Sequence, residues 1–143
     1  MHAYLGYLAA AAAAIGLASG CGSSDSKPNT MVVKAASLNG AQETPAVTTA
    51  ATGTATFTID TDSGAIQGTV NTSNIDGNVA HIHEGPVGTA SPVIIPLTKA
   101  DGGTWTVPDG TMLTASQLES LKNGNLYVNV HTTANPGDRK SVV

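Results

Sequence analysis

Aromatic side chains are scarce in this chain: one Trp, one Phe and three Tyr amount to 3% of 143 residues. Its core must therefore rest on Val, Ile, Leu and Ala, with little margin for cavities. Basic residues are also few, six Lys and Arg against ten Asp and Glu, for a net charge of -4. Without a basic patch the chain is not expected to bind nucleic acid. Cysteine occurs once, at Cys21, so no pair is available for a disulfide even in an oxidising compartment. No nucleotide-binding glycine pattern occurs, and no Ser or Cys stands in an arrangement that marks a covalent nucleophile.

What is present begins with an apolar, alanine-rich run over residues 3–18, followed by Ser19-Gly20-Cys21. The run is short for a span of about 20 residues. Small residues before a lone cysteine resemble a bacterial lipoprotein cleavage site, so residues 1–21 are expected to be an export segment with Cys21 as the acylated first residue of the mature protein. Acyl chains at Cys21 would fix the protein to a membrane, in the periplasm, at the outer membrane or on the cell surface. Residues 22–31 turn to Gly, Ser, Asp, Lys, Pro and Asn without apolar periodicity, the composition of a tether. The remainder, 32–143, suffices for one modest domain with one core.

That domain reads as all-β. Thr52, Thr54, Thr56 and Thr58 alternate with Gly53, Ala55, Phe57 and Ile59, the pattern of a half-buried strand. Asp60-Thr61-Asp62-Ser63-Gly64 supplies turn chemistry, and Ile66, Gly68 and Val70 alternate on the way back. Further strands are expected from Val32 to Leu38, through His81 and His83, from Val93 to Leu97, and around Trp105 and Val107. Thr114-Ala115-Ser116-Gln117 has the form of a capping box, and Leu118 and Leu121 follow at helical spacing before Gly124. The fold expected is an antiparallel Greek-key sandwich or barrel with one short helix.

Chemistry points to histidine. Apart from His2 in the export segment, the histidines are His81, His83 and His131, all in strand-like runs. Side chains alternate along a strand, so His81 and His83 share a face, and Tyr127, Asn129 and His131 share the face opposite Leu126, Val128 and Val130. Set side by side on the outer surface of a sheet, three neutral imidazoles suit a borderline metal, copper in preference to zinc. Tyr127, Asn129 and Glu84 are the neighbours expected to support these ligands.

The run Leu38-Asn39-Gly40-Ala41-Gln42-Glu43-Thr44-Pro45, then Gly53-Thr54-Ala55, then Ala80-His81-Ile82-His83-Glu84-Gly85, then Leu113-Thr114-Ala115-Ser116-Gln117-Leu118, and finally residues 126–137 resemble a CHRD domain. The resemblance covers essentially everything after the tether. It implies an extracellular or envelope module, with protein binding in animal members. It also implies a closing strand after Asn135-Pro136-Gly137, where this chain reads Asp138-Arg139-Lys140-Ser141-Val142-Val143. Residues 138–143 can be encoded by a string that reads like a sequencing adapter, so they are expected not to be native and the C-terminal strand to be truncated. A narrower similarity links the order His81, His83, His131 to the copper ligands of copper-zinc superoxide dismutases, without a bridging histidine or zinc-loop ligands.

Three readings follow: an envelope metal-binding protein, favoured; an interaction module for another extracellular or envelope protein, with structural histidines; and a redox enzyme of superoxide dismutase type. No catalytic residue is assigned.

Overall fold

Alternation in the sequence becomes one hairpin at the centre of the structure, a computed structural model. It describes residues 30–43, 46–86 and 89–133, with the backbone of 2–4. Strands β3 (Thr52–Asp60) and β4 (Ile66–Ser73) pair in the register Ile59↔Ile66, Phe57↔Gly68 and Ala55↔Val70, which places the apolar members on one face. Their turn is held by the Asp60 carboxylate, which accepts from the Asp62 N–H at 3.0 Å and the Ser63 hydroxyl at 2.7 Å. Gly64 completes it at φ +83°. Gly68 is required for a different reason: a Cβ there would meet the Phe57 ring at 2.6 Å and the Thr56 carbonyl closer still.

Strand β2 (Met31–Asn39) pairs with β3 along its whole length, from Met31↔Asp60 to Asn39↔Thr52. Asn39 then caps a single 3-10 turn, Gly40–Gln42, and the Gln42 side chain accepts from the Asn39 N–H at 2.8 Å. β5 (Gly77–Glu84) lies between β6 (Val93–Pro96) and β9 (Leu126–Thr132). β7 (Thr98–Lys99) pairs with β8 (Thr104–Thr106), which pairs with β4. Two antiparallel sheets result, β7-β8-β4-β3-β2 and β6-β5-β9.

Only Leu97 separates β6 from β7, so one extended segment belongs to both sheets and joins them on one side. Its N–H bonds to the Ala80 carbonyl at 2.9 Å, and Lys99 Nζ reaches the Gly77 carbonyl at 2.5 Å. On the other side β1 (His2–Tyr4) stands between β9 and β2, pairing His2↔Asn129, Ala3↔Val128 and Tyr4↔Tyr127. These are residues that the sequence assigns to an export segment, and here their backbone extends the ladder. In space β4, β8, β7–β6 and β5 follow one another, which is Greek-key order and matches the expected fold.

Helix α1 (Ala115–Lys122) starts as its capping box predicts: Thr114 Oγ1 accepts from the Gln117 N–H at 3.2 Å, and Gln117 Oε1 from the Thr114 N–H at 2.9 Å. It buries Leu118 and Leu121, and Gly124 follows it at φ +72°. The core is mostly aliphatic, as the composition demands, around Phe57 and Trp105. Cys21, most of the 22–31 tether, Thr44-Pro45 and residues 134–143, with the expected truncated strand and non-native ending, lie outside the described residues.

Candidate metal centre

The β5–β9 register builds the cluster. His83 lies opposite Tyr127, His81 opposite Asn129 and Val79 opposite His131. Residues opposite one another share a face, so all three histidines project from the same side with Tyr127 and Asn129. Two departures from regular pairing accompany them, one between Ile82 and His83 against β6 and one between Gly77 and Val79 against β9. Such bulges re-aim side chains next to functional sites.

The result is close. One ring nitrogen from each of His81, His83 and His131 lies within 4.8 Å of the others. His81 Nδ1 and His131 Nε2 are 3.3 Å apart. Two donors to one tetrahedral ion, at metal–nitrogen bonds of about 2.0–2.1 Å, stand roughly 3.3–3.4 Å from each other. That pair is already spaced for sharing a cation.

The hydrogen bonds around the rings decide which nitrogen is available. His83 Nδ1 lies 2.7 Å from the Ser91 carbonyl, which can only accept, so Nδ1 carries the proton and Nε2 the lone pair in the neutral ring. Fixing a tautomer through the other ring nitrogen is how ligand histidines are generally oriented. His131 Nε2 accepts from Asn129 Nδ2 at 3.0 Å, so Asn129 engages its lone pair. Asn129 Oδ1 is buried with no hydrogen-bond partner, a vacancy that costs about 1–3 kcal/mol.

The family model for the CHRD domain matches residues 34–139. The chain belongs to the CHRD domain family. No curated protein and no solved structure matches it.

In this CHRD domain the histidine face is not an open outer surface, as the alternation alone suggests. Leu126 to Val130 are buried on both faces of β9, and His83 is 3% exposed, while His81 and His131 are half-buried. The cause is the segment after β5. Ser91 N–H donates to the Tyr127 hydroxyl at 3.2 Å, and that hydroxyl donates to the Thr89 carbonyl at 3.3 Å, drawing the segment across the sheet. Tyr127 also stacks on His83, ring centroids 5.0 Å apart and planes inclined by 7°. It thus supports His83 through packing. Glu84, by contrast, belongs to the other side of β5 and accepts from Ser120 Oγ of α1 at 2.6 Å; it ties helix to strand and stands apart from the histidines.

Ser91 is the contributor that sequence reading missed. Its one signal was Gly85, directly after the His-x-His strand. A Cβ on Gly85 would run into the Ser91 side chain, so glycine there lets the segment fold back.

Proposed function

We propose that this CHRD domain binds one metal ion, copper in preference to zinc, through His81, His83 and His131, and does so in the cell envelope, held to a membrane by acylated Cys21. The observation that carries the reading is the 3.3 Å separation of His81 Nδ1 and His131 Nε2. Two ring nitrogens at that distance either share a proton in a hydrogen bond or are bridged by a cation. The buried, tautomer-fixed His83 completes a three-imidazole set. Imidazole serves copper and zinc alike, and divalent copper stands above zinc in the general order of affinity.

Titrating the purified protein with Cu(II) and Zn(II) against a competing chelator tests this. One ion per chain is expected, with copper the tighter. Replacing His131 by Ala should weaken either ion by more than the roughly 10–100-fold that loss of a supporting partner costs. The anchor is tested separately: Cys21→Ala should move the exported protein from the membrane fraction to the soluble fraction.

One observation favours the second reading, an interaction module with structural histidines: His83 is stacked on Tyr127 and bonded to Ser91. That reading gains if the wild-type protein takes up no metal and remains fully folded without it. Redox turnover requires superoxide removal faster than that of an equal concentration of free copper ions.

A further inference from the structure

Asn129 is the polar side chain of this region that the three-imidazole reading leaves unexplained. It is 2% exposed, lies opposite His81 in the β5–β9 register, and precedes His131 by two residues on the same face. Its Nδ2 is 3.0 Å from His131 Nε2, and its Oδ1 is buried without a hydrogen-bond partner. The amide nitrogen therefore donates into the lone pair that a metal ion would use, while the better donor atom for a cation has nothing to bind.

We propose that the Asn129 carboxamide turns over when the ion enters and presents Oδ1 as a fourth donor beside the three imidazoles. The inference rests on the metal-binding reading above. The last torsion of Asn is two-fold, so a half turn exchanges oxygen for nitrogen without moving the backbone. Oδ1 would then stand where Nδ2 stands now, 3.0 Å from His131 Nε2. That is near the roughly 3.3 Å between adjacent donors of a tetrahedral ion. One end of the amide lacks a partner in either orientation, so the ion–oxygen contact decides which is adopted.

The test compares Zn(II) affinity and the visible absorption of the Co(II)-loaded full chain for wild type, Asn129→Asp and Asn129→Ala. A carboxylate of the same shape should bind Zn(II) more tightly than wild type, and Ala should bind it about 10-fold more weakly. The Co(II) spectrum should also change in Ala, because water replaces an amide oxygen. A side chain that merely positions His131 would lower affinity in Ala but leave the Co(II) spectrum as it is. Equal or tighter binding in Ala, weaker binding in Asp, or an unchanged spectrum overturns the inference while the three-histidine site stands. A wild-type chain that binds neither ion overturns both.

Discussion

His81 Nδ1 and His131 Nε2 stand 3.3 Å apart although fifty residues separate them in the chain. They are diagonal neighbours across β5 and β9, since His81 faces Asn129 and His131 faces Val79. Diagonal positions lie about 7–8 Å apart at the backbone, within the reach of two imidazoles. A slip of one residue in this register would send His131 to the core face. The site thus depends on the fold that sets the register.

Tyr127→Phe keeps the ring stacked on His83 but removes the hydroxyl between Ser91 and Thr89. A loss of about 1 kcal/mol is expected from chemical denaturation. Amide exchange at Ser91 should quicken more than exchange in β3. Unaltered exchange at Ser91 would show that the tyrosine does not hold the segment.

Gly68→Ala should destabilise the domain by about 1–3 kcal/mol, because the new methyl must push the Phe57 ring and the Thr56 backbone. A thermal melt of the variant checks it. An unchanged midpoint would mean that the Phe57 ring can move aside at no cost.

Much of this was legible in the chain. The Thr-Gly-Thr-Ala-Thr-Phe-Thr-Ile alternation gave β3 and its buried face, Asp60 to Gly64 gave the turn, and Thr114 with Gln117 gave the helix start. Period-two alternation also put His81 with His83 on one face and His131 with Tyr127 and Asn129 on one face, and the pairing of β5 with β9 brings the two together. Alternation says which residues share a face, not what covers it. The burial of His83, Tyr127 and Asn129 depends on Ser91 returning from the following segment, a contact that no periodicity encodes. For the same reason Glu84, next in sequence to His83, goes to Ser120. Nor could pattern reveal that the segment from Val93 to Lys99 serves two sheets, because the partners paired on either side of Leu97 are set by tertiary packing.

Asp60 provides a pH signature independent of the histidines. Hydrogen bonds from Ser63, Asp62 and Thr30 lower its pKa from 3.8 to about 2. The folded value lies below the unfolded one, so the unfolded chain binds the proton more readily. Stability from this group is therefore present above pH 3.8 and is lost as pH falls toward 2. Asp60→Asn should flatten the fall in urea midpoint across that interval. A fall as steep as in wild type would assign the acid sensitivity to other carboxylates.

A metal ion held by His81, His83 and His131 would show at once in the metal content of the protein. Elemental mass spectrometry should be run on the protein purified from the envelope, beside a variant with His81, His83 and His131 all replaced by Ala. One copper ion per wild-type chain and none in the folded variant are expected. Folded wild-type protein without stoichiometric metal, or a variant that retains it, would rule out metal binding by these histidines.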